Sequence, residues 1–366
     1  MSEFKIAVIA GDGIGIEVME EALNVLNVLE EKEKDFILKV VEFPWSSNYY
    51  VEHGRMMPED GLETLQKFDA ILFGAIGNPR VPDDVTVWEL IMPIRKKFQQ
   101  YVNFRPVKSL PGIKSPLANG EDIDFVIFRE NAEGEYSDSG GRMFESQESE
   151  MAIQNTIMTR GGIERITKAA SDYALKNGKK KLTSATKSNA VVHAMKLWDE
   201  HVKRVVDEEY PELELESYYI DALVAYFVQR PQSFEVVVAS NLFGDILSDL
   251  GSGIVGGLGL SPSANINPEK EYPSMFEAVH GSAPDIAGKG IANPIAQIWS
   301  AALMLDHLGR ADLSAKIIDA IEEVLAEENI KTADIGGQAT TKQMGDAIVE
   351  KIKKQYVTEG NGEFNS

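Results

Sequence analysis

FKIAVIAGDGIGIEVMEEALNVLNVLEE, residues 4–31, decides the fold class. Within FKIAVIA, residues 6–10 are a short apolar run, the pattern of a buried strand. GDGIG interrupts it with glycine, and EVMEEALNVLNVLEE then spaces its apolar residues at helical intervals. A strand feeding a helix through a glycine-rich turn is the repeating unit of α/β folds. The alternation continues outward along the chain. LKVVEFP (38–44), DAILFGA (69–75), IDFVIFRE (123–130), KKLTSAT (180–186), ELESYYID (214–221) and FEVVVAS (234–240) are strand-like runs, several leading directly into helical segments. The predicted class is therefore α/β.

GDGIG is not the dinucleotide fingerprint that it first suggests. Gly11, Gly13 and Gly15 give G-x-G-x-G, whereas the fingerprint needs its third glycine where Ile16 stands. The segment reads either as a tight strand-to-helix turn or as one wall of a cofactor groove. No internal repeat and no Pro/Gly-rich linker marks a domain boundary, so a second domain is expected as an insertion. The tail VTEGNGEFNS is polar and aperiodic and is expected to lack structure.

At 366 residues and 43% hydrophobic composition the chain can fill about two domain cores. No apolar run approaches the roughly 20 residues that span a bilayer, and MSEFKIAVIAGDG lacks a basic leader and a cleavage site. A soluble, cytoplasmic protein with no membrane partner is expected. With 58 acidic against 36 basic residues, the net charge of −22 repels nucleic acid. No cysteine is present, so a bound metal must use oxygen or imidazole ligands, which favours a hard ion. His53, His193, His201 and His307 are unclustered and read as structural or exposed.

The sharpest chemical signal is SNLFGDILSDLGSGIVGGLGL, residues 240–260, in which Asp245 and Asp249 share one face of a predicted helix. A Mg2+ or Mn2+ ion would relieve their repulsion. Leu242, Phe243, Ile246, Leu247 and Leu250 point to burial of that helix. Asp221 follows a strand and reads as an N-cap, with or without a part in metal ligation. Arg129 and Lys187 end strands, where ligands bind in open α/β sheets. Arg95 and Arg105 lie in the basic and aromatic stretch PIRKKFQQYVNFRP. Each arginine alone reads as a surface residue, whereas three converging would suit a dicarboxylate. Tyr136, in FRENAEGEYSDSGG, is either an exposed loop residue or an acid beside a cation. In FEAVHGSAPDIAGKGIANP, Asp285 either belongs to a structural loop or accepts ribose hydroxyls.

GDGIG, FRENAEGEYS, TKSN around Lys187, SNLFGDILSD and HGSAPDIAGKGIANP together resemble, in family order and over nearly the whole chain, the β-decarboxylating hydroxyacid dehydrogenases. That family includes isopropylmalate, isocitrate, homoisocitrate and tartrate/D-malate dehydrogenases. The resemblance implies an isopropylmalate/isocitrate dehydrogenase-like two-domain fold, not a Rossmann fold. Residues 1–101 and 256–356 would form a larger domain with NAD-binding loops. Residues 102–255 would form a smaller one with the dimer interface, and 357–366 a disordered tail. It implies a homodimer with shared active sites, Lys187 and Asp221 reaching the partner's cleft, where Asp245 and Asp249 complete the metal site.

Carried over residue by residue, Arg95, Arg105 and Arg129 hold the substrate carboxylates, Lys187 and Tyr136 are the base and acid, and Asn189 approaches the nicotinamide. The same resemblance implies that His280, Gly281, Ser282, Ala283, Pro284, Asp285, Ile286 and Asn293 would bind the adenosine. Asp285 would repel a 2′-phosphate, so NAD is favoured. The cofactors implied are NAD, Mg2+ or Mn2+, and K+ as a candidate monovalent ion.

VPDDVTVWELIMPIRKKF and QQYVNFRPVKSLPG resemble the tartrate/D-malate members. Trp88 stands where isopropylmalate enzymes carry a glutamate, and would either shrink the pocket or merely pack. Ile91 and Met92 replace leucines, and Pro93 begins or kinks a helix. D-malate or tartrate is thus the implied substrate. The alternatives are 3-isopropylmalate dehydrogenase and a non-catalytic regulatory subunit of an isocitrate-dehydrogenase-like assembly.

Overall fold

The structure, a computed structural model, describes residues 2–327 and 329–362, with side chains described as far as 358. In chain order its strands are β1 (Ser2–Gly11), β2 (Phe36–Glu42), β3 (Ala70–Ala75), β4 (Val102–Lys108), β5 (Asp124–Glu130), β6 (Gly140–Met143), β7 (Met151–Gln154), β8 (Lys181–Thr186), β9 (Glu214–Tyr219), β10 (Val236–Ala239), β11 (Pro262–Ile266) and β12 (Ser274–Ala278). All seven strand-like runs of the sequence are strands. The chain divides into one unit of residues 1–100, 109–121 and 252–366 and a second of 101–108 and 122–251. The fold is α/β, of the isocitrate/isopropylmalate dehydrogenase type.

The first unit is built on the strand order β2-β1-β3-β12-β11. β1 lies parallel to both β2 and β3, β12 is parallel to β3, and β11 is antiparallel to β12. Ile6, Ala7, Val8 and Ile9 are at most 1% exposed, as their unbroken apolar run requires. The helix Ile14–Lys32 buries Val18, Ala22, Val25 and Leu29 at helical spacing against this sheet. The helix Ile295–His307 is buried nearly all round, because it packs on β12, β11 and two further helices at once. Each fully buried Leu or Ile contributes about 1.5–3 kcal/mol.

GDGIG proves to be both a turn and a contact. The buried Asp12 carboxylate accepts from Ser47 N at 3.0 Å, Ser47 Oγ at 2.5 Å and Gly77 N at 3.0 Å. Ile14 N donates to Ser282 O at 2.8 Å, tying the turn to HGSAPD. Gly13 has φ +57°, and a Cβ there would lie 2.0 Å from Ser282 O. Gly13→Ala therefore meets both a left-handed backbone and a backbone clash. It is expected to cost more than about 2 kcal/mol; a calorimetric melting temperature within a degree of the parent's would contradict this.

The second unit has the order β4-β5-β10-β8-β9, with only the β4/β5 pair antiparallel. Trp198, fully buried on the helix Val192–Glu209, donates to Ser184 Oγ at 3.0 Å and fixes that helix on β8 just before Lys187. β6 and β7 form a separate antiparallel hairpin in which every residue is exposed.

Beyond shifts of one to four residues at the ends of the second unit, two segments depart from the sequence-based division. Residues 109–121 cluster with the first unit because Ser115 Oγ donates to Ile254 O at 2.6 Å and Lys331 Nζ to Gly112 O at 2.5 Å. The last helix, Thr341–Gly362, runs into the expected disordered tail through residues 357–362. Its buried Met344, Ile348 and Ile352 anchor the turns behind it, and Thr358 Oγ1 donates back to Lys354 O. Residues 363–366 of that tail lie outside the described residues.

Candidate active site

β10 passes through Ser240 into the helix Asn241–Val255, whose polar residues Asn241, Asp245, Ser248 and Asp249 recur at intervals of one and two turns. They share a face. Gly244 lets this helix approach β5: a Cβ there would come within 2.5 Å of Arg129 Cβ. The expected burial of its apolar residues is corrected. Leu247 is buried, Leu242, Phe243 and Leu250 are half-buried, and Ile246 is 47% exposed. Its exposed residues Ile246, Asp249 and Gly253 recur at helical spacing and share one side.

Asp245 is the centre of the site. Arg129, on β5 and 2% exposed, donates through Nη1 to Asp245 Oδ1, and through Nε and Nη2 to Asn241 Oδ1 at 3.0 and 2.7 Å. Arg105, on β4, donates through Nη1 to Ser248 Oγ at 2.5 Å and to Asp245 Oδ1 at 3.3 Å, with Asp249 Oδ1 at 3.8 Å. Its Nε donates to Asn103 Oδ1 at 2.6 Å. Tyr136 donates its hydroxyl to the other Asp245 oxygen at 2.7 Å. Burial, and then this carboxylate, push the phenol up to about 12. Asp249, more open to solvent, is raised by desolvation and by the neighbouring Asp245 charge. Glu130, folded under the same loop, accepts from Ala132 N and Glu133 N, and burial pushes its carboxyl to about 7.

The structure thus joins Arg105, Arg129, Tyr136, Asp245 and Asp249, residues up to 144 apart in sequence. It does not bring Asp221 into that group. Asp221 is not an N-cap either: the helix Ile220–Gln229 starts one residue earlier, with Tyr219 in the cap position. Its exposed carboxylate accepts from Lys187 Nζ at 2.5 Å, which lowers its pKa. Among the described residues no group of three or more His, Asp or Glu side chains is placed to hold a metal. Asp245 and Asp249 nevertheless fit a hard divalent cation. They present carboxylate oxygens one turn apart on one helix face, the donor type that a hard cation takes.

In the first unit Arg95, in the helix Met92–Lys97, donates through Nη2 to Glu277 Oε1 at 2.8 Å, and Asn265 donates to the same oxygen at 2.7 Å. Pro93 is the second residue of that helix, within its first turn, and the helix follows directly on a π-turn, Val87–Ile91, that carries Trp88. Trp88 is 36% exposed with Lys96 Nζ 4.7 Å from its ring centre. In the loop after β12, Gly281, Pro284 and Asp285 are exposed, Ala283 and Ile286 half-buried, and Ser282 buried. Asn293 Oδ1 accepts from Ile295 N at 3.0 Å and its amide donates to Asp334 Oδ2 at 3.0 Å. His280 Nε2 is buried without a hydrogen-bond partner, a polar atom suited to a nucleotide base. Asn189 is exposed in the loop after β8. Of the histidines read as structural or exposed, His53 and His193 are exposed, and burial pushes His307 down to about 4.

Sequence reasoning missed Asn103, Asn241, Ser248, Glu277 and Asp334. Only Asn241 and Ser248 carried a signal, the helical spacing they share with the two acids.

The family model described as isocitrate/isopropylmalate dehydrogenase matches residues 5–348. A probable tartrate dehydrogenase/decarboxylase of Bacillus subtilis (strain 168) is 51% identical over 355 residues, covering 97% of this chain and 99% of the relative. The D-malate dehydrogenase [decarboxylating] of Escherichia coli (strain K12) is 50% identical over 361 residues, with 96% and 99% covered. The crystal structure of isocitrate dehydrogenase from Methylococcus capsulatus superposes with a TM-score of 0.86 at 34% identity, covering 95% of this chain and 99% of that one. With matching motifs, a matching fold and relatives matched along almost their full length, the chain belongs to the isocitrate/isopropylmalate dehydrogenase family of enzymes.

Proposed function

We propose that this chain is an NAD-dependent, Mg2+- or Mn2+-requiring dehydrogenase that converts D-malate to pyruvate and CO2, with tartrate as a further substrate. The observation that carries the reading is the meeting of two buried guanidinia, a tyrosine and two aspartates around Asp245. Fixed arginines bind a carboxylate, the acid pair suits a hard cation, and the phenol supplies a proton. The tartrate and D-malate relatives support the choice of substrate class.

Lys187 Nζ takes the proton of the C2 hydroxyl, and Arg95, Arg105 and Arg129 hold the carboxylates. NAD, when bound, would supply the hydride acceptor, and a divalent cation, which Asp245, Asp249 and Asp221 would hold, would supply Lewis-acid polarisation. Tyr136 delivers its hydroxyl proton to C3 after CO2 leaves. His280 and the loop through Asp285 to Asn293 would hold the adenosine. Asp285 disfavours a 2′-phosphate, hence NAD over NADP.

A homodimer with shared sites fits the same reading. Asp221 stands outside the Asp245–Asp249 pair, and exposed apolar side chains are grouped on the second unit: Met143, Phe144, Met151, Ile153 and Ile157 about the hairpin, and Ile246 on the acid-bearing helix. No described helix is long and apolar enough to cross a membrane, in keeping with a cytoplasmic enzyme. Lys187, Tyr136 and all three aspartates are present, which disfavours a non-catalytic regulatory subunit.

The test is steady-state NADH formation with Mn2+ and NAD on D-malate, meso- and L-tartrate, 3-isopropylmalate and isocitrate, with pyruvate assayed separately. D-malate is expected to lead and to yield one pyruvate per NADH. Preference for 3-isopropylmalate would overturn the D-malate reading and, of the two readings of Trp88, the one in which it shrinks the pocket.

A further inference from the structure

We propose that Asn241 is a positioning residue: its amide decides which edge of the Arg129 guanidinium meets the substrate carboxylate. The inference rests on the functional reading above, in which Arg129 binds that carboxylate.

An arginine can present two edges to a planar acid, the side edge of Nε and Nη2 or the end edge of Nη1 and Nη2. Here a single oxygen, Asn241 Oδ1, accepts from both Nε (3.0 Å) and Nη2 (2.7 Å), so the side edge is taken. Nη1 is thereby turned along the helix to Asp245, one turn on from Asn241 and on the same face. Tyr136 reaches Asp245 from the same region. With the side edge closed by Asn241, an incoming carboxylate meets the guanidinium at its end edge in competition with the Asp245 oxygen already on Nη1, beside the acid pair and the phenol.

The amide is itself oriented. Asn241 is 1% exposed, and its Nδ2 donates to Glu133 O at 2.9 Å. A flipped amide would set two donor groups face to face at Arg129 and two acceptors face to face at Glu133. The arrangement follows from the sheet register. Arg129 pairs with Ala239, and two residues later the chain turns into the helix, which brings the Asn241 side chain across the Arg129 guanidinium. A second tie keeps the helix start in place. Glu135 accepts from Ser240 Oγ at 2.8 Å and from Leu242 N at 3.0 Å, holding the FRENAEGEYS loop on the helix next to Asn241.

The experiment is D-malate binding measured by calorimetry with Mn2+ and without NAD, together with KM and kcat, for the parent, Asn241→Ala, Arg129→Lys and the double variant. Asn241→Ala is expected to weaken D-malate binding and to raise its KM about 10–100-fold. kcat should stay within about threefold and NADH affinity should not change, the pattern of lost uniform binding. In the Arg129→Lys background the same substitution should add less than about twofold, because its partner is already altered. Equal D-malate affinity in the parent and Asn241→Ala overturns the proposal. So does a full, additive effect in the Arg129→Lys background, or a parallel loss of NADH affinity, which would mark a merely structural role. Should Asn241→Ala not fold, Asn241→Ser retains one acceptor and carries the same expectations at smaller amplitude. A parent that binds no D-malate overturns the functional reading, and this inference with it, whereas the other failures overturn the inference alone.

Discussion

Lys187→Ala is expected to lower kcat for D-malate oxidation by about 10^2–10^4-fold, the range supplied by a positioned general base. The loss should not come from misfolding. The Lys187 ion pair with Asp221 is open to solvent on its acid side, so it contributes little to stability. Its position depends instead on the β8 strand end and on the Trp198 anchor to Ser184, neither of which the substitution touches. The decisive comparison is with Tyr136→Phe, using added oxaloacetate. Loss of Lys187 should spare decarboxylation of the ketone, which requires no proton from C2, whereas Tyr136→Phe should depress it more than it depresses oxidation. A Lys187→Ala enzyme turning over D-malate within threefold of the parent would remove the lysine from the mechanism.

Asp245→Ala is expected to damage both folding and chemistry. Its carboxylate is the shared acceptor of Arg105, Arg129 and Tyr136, and the two guanidinia are only 9% and 2% exposed. Removing one partner from a buried ionic group leaves charge that the interior solvates poorly, a loss of about 3 kcal/mol. The cation it would help to hold supplies several kcal/mol to the transition state, so kcat should also fall by about 10^3-fold or more. Asp249→Ala separates the two effects. Its side chain is 61% exposed and its nearest guanidinium nitrogen lies 3.8 Å away. Activity and Mn2+ dependence should fall with little change in urea midpoint. If Asp245→Ala unfolded at the parent's urea concentration, the acceptor role assigned to its carboxylate would be wrong.

Much of the fold was legible because its signals are local. FKIAVIA, DAILFGA and FEVVVAS are built on short apolar runs bounded by turn residues or charges, a pattern that suits strands covered on both sides. Asp245 and Asp249 were legible for the same reason, since a spacing of four on a helix places two residues on one face whatever surrounds them. Burial of that helix was less legible. Ile246 is apolar yet 47% exposed, because an apolar residue records only that some surface should cover it and not which. The helical end of the tail was missed because VTEGNGEFNS has no periodicity of its own and its helix continues from turns anchored upstream.

The sequence by itself determined the alternation of strands and helices, the family motifs and the residue types that perform the chemistry. Only the tertiary structure decided which of them meet. Arg105 joins Asp245 across 140 residues, Arg129 joins Asn241 across 112, and Tyr136 joins Asp245 across 109. It also gave Arg95 to Glu277 and Asp221 to Lys187. The reason is physical. Propensity and periodicity act over a few residues, whereas the partner of a buried guanidinium is set by strand order and register, which place β5 beside β10 and so Arg129 beside the start of the acid-bearing helix.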